Sequence, residues 1–244
     1  MKTVMIVQAR SGSTRLPGKA LLPLAGEPML FRLIERLRRC SSFEAVILAT
    51  TLLPEDDQLA VIAKRQDCIV YRGSENDLIE RICGAANMVG ADVIARYPAD
   101  NALPEPAEID RIVNYFHEGE YDFASNLCNV LENNYPDGIG AEVFRCSTLE
   151  MLRREERNPS KREHVTPCFY DYSRNAPVSL ESFKIGTIPC PKLYRRSDLK
   201  MCVDTPEEYE YIARMYSDIY PFNPQFSFVD VISWNDQINV KKVG

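Results

Sequence analysis

Short apolar runs alternate along the chain with segments in which hydrophobic residues recur at helical spacing. Leu30, Leu33, Ile34 and Leu37, for example, follow one another at i, i+3, i+4 and i+7, which is the pattern of an amphipathic helix. The apolar runs predict strands at Thr3–Gln8, Ala45–Thr50, Cys68–Tyr71, Asp92–Arg96, Tyr121–Ser125, Glu142–Phe144 and Leu199–Val203. Nearly continuous apolar strands that alternate with helices predict a doubly wound α/β fold, with a mostly parallel sheet covered on both faces.

The alternation is interrupted between about residues 126 and 191, where Asn, Pro and Tyr are frequent and short strands mix with helices. We interpret this stretch as a small mixed lobe, inserted before the last predicted strand. A chain of 244 residues is long enough to bury roughly 70–75% of its unfolded surface in one large domain. Residues 1–244 are therefore predicted to form a single domain that contains the lobe.

Composition and charge exclude several functional classes. The formal net charge is −6, which argues against a general nucleic-acid binder. No apolar run approaches the roughly 20 residues of a membrane span, and the N-terminus lacks signal-peptide organisation, so we expect a cytoplasmic protein. No two cysteines have C-x-x-C spacing and only two histidines occur. Any metal is therefore expected to be a hard cation held by carboxylates.

The first predicted strand is followed by the loop Ala9-Arg10-Ser11-Gly12-Ser13-Thr14-Arg15-Leu16-Pro17-Gly18-Lys19. This loop lacks the G-x-G-x-x-G pattern of dinucleotide-binding folds. It is not a P-loop either, because five residues separate Gly12 from Gly18, Pro17 removes one amide donor, and Ala20 follows Lys19.

Three cations in this loop suit a polyphosphate. The amides of a helix end supply only about half a positive charge, whereas a triphosphate carries several negative charges. Arg10, Arg15 and Lys19 can balance that charge through their side chains, together with a divalent cation. Simple solvation of these three cations is the alternative.

Two aspartates follow predicted strands at the edge of the sheet where α/β proteins bind ligands. Asp100 comes after the fourth strand, and Asp204 comes after the last one. Thr205, Pro206 and Glu208 predict a capping box with proline at the first helical position, which places Asp204 just before a helix. Together the two carboxylates predict a Mg²⁺ site beside phosphates. Alternatively, Asp100 caps the next helix and Asp204 is a turn residue.

The segment QARSGSTRLPGKALLPLAGEPML closely resembles the opening of the cytidylyltransferases related to CMP-sialic acid and CMP-Kdo synthetases, and above all their SpsF-type branch from spore-coat polysaccharide biosynthesis. The resemblance implies a GT-A-like, Rossmann-type nucleotidyltransferase fold and a loop that wraps the triphosphate of CTP. By this resemblance the loop residues that bind nucleotide are Ala9, Arg10, Ser11, Gly12, Ser13, Arg15 and Lys19. It also makes Asp100 and Asp204 the family's metal pair, although Ala102 stands where proline is usual.

Further segments resemble family motifs for the base and the acceptor. Arg72, Gly73 and Ser74 lie in a segment that the resemblance places near the nucleobase, although Asn76 or Asp77 beside them can equally serve as a helix cap. The resemblance implies an acceptor pocket made of Asp137, Gly138, Glu142, Arg162 and His164. Since Pro-Asp-Gly is itself a turn signal, a purely structural Asp137 is the alternative.

The loop cations and the two aspartates predict a nucleotidyltransferase. The resemblance implies that it transfers CMP from CTP to a sugar acid or related small acceptor, releases pyrophosphate and serves cell-surface polysaccharide biosynthesis. Its predicted catalytic residues are Arg10, Lys19, Asp100 and Asp204, and its predicted cofactor is Mg²⁺. The resemblance also implies a homodimer associated through the inserted lobe. One rival is a GT-A glycosyltransferase, which usually carries the Asp-x-Asp motif that this sequence lacks. The other is a non-catalytic nucleotide-binding protein. The sequence leaves the acceptor open.

Overall fold

The computed structural model describes residues 1–13, 15–171, 173–178 and 183–243. Its strands are β1 (Thr3–Gln8), β2 (Pro23–Leu24), β3 (Glu27–Pro28), β4 (Val46–Thr51), β5 (Ile69–Gly73), β6 (Val93–Pro98), β7 (Phe123–Ser125), β8 (Glu142–Arg145), β9 (Tyr170–Asp171), β10 (Ala176–Pro177) and β11 (Ile185–Gly186). Its α-helices are α1 (Met29–Leu37), α2 (Asp57–Lys64), α3 (Leu78–Val89), α4 (Pro106–Glu118), α5 (Cys146–Glu155), α6 (Pro159–His164), α7 (Pro206–Ile219) and α8 (Phe228–Val243). Short 3₁₀ turns occur at Lys19–Leu21, Pro54–Asp56, Thr166–Cys168 and Lys192–Tyr194.

Seven strands form one mostly parallel sheet in the order β11-β7-β8-β6-β1-β4-β5. Strand β8 runs antiparallel to both of its neighbours, β6 and β7, and every other neighbouring pair is parallel. The prediction of a doubly wound α/β fold with a mostly parallel sheet is confirmed. The bounds of β1 are those predicted from the sequence, and the other predicted strands of the sheet differ by a few residues at their ends.

Strand β1 is nearly continuously apolar because each face of the sheet supports its own core. Along β1, Met5 and Val7 belong to a core that also contains residues of α1, α2, α4, α7 and α8. Val4 and Ile6 belong to the opposite core, which is formed with α3 and α5. Since successive side chains of a strand point to opposite faces, a strand buried on both sides cannot alternate polar with apolar residues.

The prediction of a strand at Leu199–Val203 is wrong. This segment is extended, but only isolated bridges pair it with other residues, Lys200 with Asp137 and Cys202 with Asn101. Its partners are loops that follow other strands, as shown by the bond from the amide of Met201 to the carbonyl of Asp137, 2.9 Å. The alternating apolar residues of this segment correctly predicted an extended backbone. They could not predict which backbone lies beside it.

Residues 126–191, predicted to be an inserted lobe, contribute β8 and β11 to the main sheet. The same stretch supplies α5, α6 and the separate ribbon of β9 and β10. Its role in acceptor binding or dimerisation stays a prediction. Among the helices of the described ranges, none has the length and apolar character needed to cross a membrane.

Candidate active site

A cavity of about 430 Å³ opens at the carboxyl ends of β1 and β6. Several residues predicted to bind nucleotide, metal or acceptor line it, namely Ala9, Arg10, Gly12, Ser13, Arg15, Lys19, Asp100, His164 and Asp204. Residues that the sequence did not single out also line it, namely Gln8, Ala20, Glu75, Leu78, Arg81, Pro98, Ala99 and Glu163. Its volume lies within the range of about 300–1,000 Å³ that is common for small-molecule sites.

The cationic loop folds back on itself before the cavity. The amides of Ser13 and Gly18 both donate to the carbonyl oxygen of Ser11, at 2.8 and 3.1 Å. Gly18 has a φ of 67°, a left-handed conformation that glycine adopts without steric cost. Lys19 begins a 3₁₀ turn directly after it. The turn thus directs the Lys19 side chain across the sheet edge toward the aspartates.

Asp56, which the sequence analysis missed, anchors this loop from the 3₁₀ turn Pro54–Asp56 that follows β4. Its carboxylate accepts hydrogen bonds from the Ser11 amide at 2.7 Å and from the Thr51 hydroxyl, while the Ser11 hydroxyl donates to the Glu55 carbonyl at 3.0 Å. Burial alone would raise the pKa of Asp56, but the hydrogen bonds from Thr51 and Ser11 outweigh it and lower that pKa. The available signal was a carboxylate just past the end of β4.

Lys19 lies between the two predicted metal ligands. Its Nζ atom is 3.0 Å from Oδ1 of Asp204 and 3.5 Å from Oδ2 of Asp100, and it donates to the carbonyl oxygen of Val203 at 2.7 Å. Arg15 reaches the same Asp204 oxygen at 3.3 Å. Burial would raise the pKa of Asp204, but the hydrogen bond and charge of Lys19, with nearby cations, lower it.

Backbone pairing brings the two aspartates together although they are far apart in sequence. The amide of Val203 donates to the carbonyl oxygen of Asp100 at 2.8 Å. The predicted capping box is confirmed, since Thr205 and Glu208 bond reciprocally at the start of α7. Oε1 of Glu208 accepts a hydrogen bond from Lys200 at 2.8 Å, and Oε2 accepts one from the amide of Asp204 at 2.6 Å. Asp204 is therefore held in place by the helix end that follows it.

This carboxylate pair fits a divalent cation. The Lys19 ammonium already contacts both carboxylates, so the pair can share one positive centre. Hard oxygen donors are the ligands that Mg²⁺ prefers. No group of three or more His, Cys, Asp or Glu side chains suited to a metal is found within the described ranges, so phosphate and water would complete the shell.

Helix α6 forms another wall of the cavity. Nη2 of Arg10 pairs with Oε1 of Glu163 at 2.9 Å, and His164 lines the cavity beside it. The next residue, Val165, is buried and has φ 60° and ψ −61°, a strained conformation for a β-branched residue. Strain of this kind persists only where the surrounding packing enforces it. The backbone here is therefore held tightly next to His164.

Comparison with known proteins identifies the family. The sequence profile of the family described as cytidylyltransferase matches residues 4–226. The chain belongs to the cytidylyltransferase family. The family resemblance predicted from the first loop is thus confirmed. Spore coat polysaccharide biosynthesis protein SpsF of Bacillus subtilis is 31% identical over 87% of this chain and 85% of its own length.

Solved structures agree with this assignment. A cytidylyltransferase from Leptospira borgpetersenii superposes with a TM-score of 0.86 at 33% identity, covering 98% of this chain and 96% of its own. CMP:2-keto-3-deoxy-manno-octonic acid synthetase complexed with CTP superposes with a TM-score of 0.64 at 17% identity, covering 89% of this chain and 99% of its own. At that identity the second likeness concerns the fold alone.

Other predicted residues of this cytidylyltransferase family member lie away from the cavity lining. Arg72 donates to the carbonyl oxygens of Thr51 and Leu53 at 2.7 and 2.8 Å and pairs with Asp57. Ser11 is occupied with Glu55 and Asp56 as described above, and Gly73 and Ser74 precede α3 without lining the cavity. Their assignment to the nucleotide stays a prediction.

Most of the predicted acceptor residues have structural partners. Arg162 donates to Asp77 at 2.5 and 2.8 Å, and Asp77 in turn caps α3, as the alternative interpretation expected. Glu142 is buried against Arg96. Asp137 pairs with the backbone of Lys200. Burial raises the pKa of Asp137, and the positive charge of Lys200 offsets only part of this increase. Gly138 follows with a φ of 94°. Of the five, His164 lines the cavity.

Arg81 is a second residue that the sequence gave no reason to select. It is buried on α3, lines the cavity, and donates from Nη1 to the carbonyl oxygens of Ser74 and Glu75 at 2.5 and 3.3 Å. Its Nε has no hydrogen-bond partner within the described part of the chain. Burial, with the charge of Arg10, lowers the pKa of Arg81 to about 10. The side chain therefore remains a cation at neutral pH.

Proposed function

We propose that the protein transfers CMP from CTP to a sugar acid or a related small acceptor. An acceptor oxygen attacks the α-phosphorus, the bond from that phosphorus to the oxygen bridging the β-phosphate breaks, and pyrophosphate leaves. The observation that supports this most directly is the meeting of Lys19 with Asp100 and Asp204 at the rim of a cavity whose loop carries further cations.

The side chains around the cavity suit a reaction that depends on positioning and charge. In-line phosphoryl displacement needs little covalent participation from the protein and much electrostatic stabilisation. Arg10, Arg15 and Lys19 would bind the triphosphate and stabilise the charge that develops on the departing pyrophosphate. Each already contacts a carboxylate of the site, so an incoming phosphate would compete with Glu163 and the two aspartates for these cations.

Asp100 and Asp204 would hold Mg²⁺. When bound there, the cation would offset phosphate charge and lower the pKa of the acceptor hydroxyl. The chain's own contribution is to fix both carboxylates, through the amide of Val203 at Asp100 and the capping box beyond Asp204. Although burial opposes it, Lys19 and Arg15 favour the ionised form of the Asp204 carboxylate, and a metal cation would have to displace their contacts with it.

The acceptor class and the biological role are inferred from the relatives. The SpsF protein is named for spore-coat polysaccharide synthesis, and the fold neighbour complexed with CTP is named for a sugar acid. We accordingly propose a role in cell-surface polysaccharide biosynthesis, in the cytoplasm and as a homodimer associated through residues 126–191. His164, beside the strained Val165, is the candidate contact for the acid group of the acceptor.

Pyrophosphate release tests the proposed function. The protein is incubated with Mg²⁺, each of the four nucleoside triphosphates and pooled sugar acids. Release is expected with CTP and acceptor together, and chelation of Mg²⁺ should abolish it. In Asp204→Asn or Asp100→Asn, we expect kcat to fall on the order of 100-fold or more with the melting temperature nearly unchanged. Asp198→Asn, at an exposed carboxylate paired with Arg196, is the matched control.

Two results would overturn the proposal. One is wild-type turnover in both aspartate variants, which would remove the carboxylate pair from the chemistry. The other is activity on nucleoside-diphosphate sugars with none on CTP, which would identify a glycosyltransferase. Sedimentation of the purified protein as a monomer would contradict the homodimer.

A further inference from the structure

The side chain of Gln8 has a fixed orientation at the end of β1. Nε of Arg96 donates to its Oε1 atom at 2.6 Å, and Gln8 lines the cavity. A guanidinium has donors and no acceptor, so the amide oxygen must face Arg96 and the NH₂ group must point away from it. If the amide were flipped, its NH₂ group would face the Nε–H group of Arg96, and two donors would oppose each other. Gln8 therefore presents hydrogen-bond donors and no free carbonyl toward a ligand.

Arg96 is itself held rigidly under the cavity. It is buried, pairs with the buried carboxylate of Glu142 in the neighbouring strand, and donates to the Thr166 hydroxyl at 3.2 Å. Thr166 donates to the other oxygen of Glu142 at 2.5 Å. A buried ion pair generally adds little stability over well-packed apolar residues. Its effect here is to orient one side chain at the cavity.

Gln8 belongs to the wall of the cavity that α3 forms. Side chains alternate along β1, so Gln8 follows Val4 and Ile6 onto the face that packs against α3. Leu78 of α3 adds apolar surface to the cavity lining, and Arg81 of the same helix also lines the cavity. The wall thus combines an apolar surface with the NH₂ group of Gln8, which points away from Arg96.

The cation-binding end of the cavity is built from different elements. Lys19 and Asp204 adjoin Ala20 and Val203, which belong to the core on the opposite face of the sheet. A nucleotide with its phosphates at that end needs a place for a flat ring with polar edges. The α3 wall supplies such a place.

We propose that Gln8 determines the choice of base by donating to the N3 and O2 edge of cytosine. This rests on the proposed function, since it assumes that CTP enters this cavity. Cytosine carries a lone pair at N3, whereas uracil carries a hydrogen there. A donor that cannot flip pairs with cytosine and opposes uracil, because its own hydrogens would face the N3–H group.

Gln8→Glu tests this assignment with little change of shape. One carboxylate oxygen still accepts from Arg96, while the other replaces the NH₂ group and reverses donor to acceptor. We expect CTP affinity to fall about 10- to 100-fold, which is the usual cost of one base-edge contact, and UTP affinity to fall much less. Affinities are measured by calorimetric titration with CTP and with UTP in the presence of Mg²⁺, without any acceptor.

Two further variants complete the experiment. Gln8→Met removes the donors without adding charge, and we expect it to bring the CTP and UTP affinities close together. If thermal melting shows that Gln8→Glu is unstable, the affinities of Gln8→Met alone test the assignment. Gln58→Glu, at an exposed glutamine of α2, controls for the added negative charge and should leave both affinities unchanged.

The outcomes separate this inference from the proposed function. If the wild-type protein prefers CTP and both Gln8 variants retain that preference, the base assignment is wrong and the proposed function stands. An equal loss of CTP and UTP affinity in Gln8→Met would likewise contradict base reading. If the wild-type protein binds neither nucleotide, the proposed function fails, and this inference fails with it.

Discussion

The Nζ atom of Lys19 lies 3.0 Å from Oδ1 of Asp204, in a position that also contacts the carboxylate of Asp100. The ammonium thus acts on the same two groups that would bind a divalent cation. One positive charge between two carboxylates lowers the repulsion between them and orders both side chains. The same side chain is a candidate to bind phosphate, so nucleotide and metal binding should be linked through Lys19.

Replacing this ammonium should separate its two effects. In Lys19→Met, we expect kcat to fall about 100- to 1,000-fold, because a charge-stabilising donor is lost. We also expect Mn²⁺ to bind more tightly to the nucleotide-free variant than to the wild type, because no ammonium competes for the carboxylates. Manganese binding is measured by electron paramagnetic resonance. Lys64→Met, on the exposed side of α2, is the control, and weaker manganese binding in Lys19→Met would contradict the explanation.

Asp56 should make stability depend on pH in acid. Its pKa in the folded state is below the ordinary value of 3.8, so its stabilising effect is complete above that value and is lost as the pH falls through the folded-state pKa. Asp56→Asn should therefore cost about 1–3 kcal/mol of unfolding free energy at pH 7, the usual range for a hydrogen-bonded charged group.

Denaturant unfolding of wild type and Asp56→Asn between pH 7 and pH 2.5 measures this difference. The gap between the two proteins should shrink below about pH 4, as the wild-type carboxylate becomes protonated. Glu55→Gln, at the neighbouring exposed carboxylate, should change stability little at any pH. A gap of constant size across the whole range would show that the charge of Asp56 is not what stabilises the loop.

Glu163 should weaken nucleotide binding in the wild-type protein. Its carboxylate pairs with Arg10 at 2.9 Å, and a phosphate must displace it to use that guanidinium. Because partly exposed ion pairs contribute about 0.2–1 kcal/mol, Glu163→Gln should tighten CTP binding by up to about fivefold. The gain should diminish at high salt. Calorimetric titration checks this against Glu155→Gln, an exposed control, and weaker CTP binding would refute it.

Local patterns in the sequence were sufficient for much of the fold and for the charged part of the site. Strand β1, the capping box of α7 and the position of Asp100 at the end of β6 all follow from residues adjacent in the chain. The spacing of hydrophobic residues indicates which side chains are buried, and turn and cap residues indicate where a helix or strand begins. The structure brings Arg10, Arg15 and Lys19 to one cavity with both aspartates because all of them follow strands or extended segments that end at the same edge of the sheet.

The tertiary structure alone decided which backbones and side chains meet across the sheet. Alternating apolar residues do not specify a partner, so Leu199–Val203 could pair with loops and β8 could enter the sheet antiparallel. The sequence also does not specify the role of a polar residue when that role depends on a neighbour far away in the chain. Glu142 is a buried partner of Arg96, and through Arg96 it orients Gln8, although Arg96 lies 88 positions from Gln8 and 46 from Glu142 in the sequence. Such contacts arise from packing between elements, which no local pattern encodes.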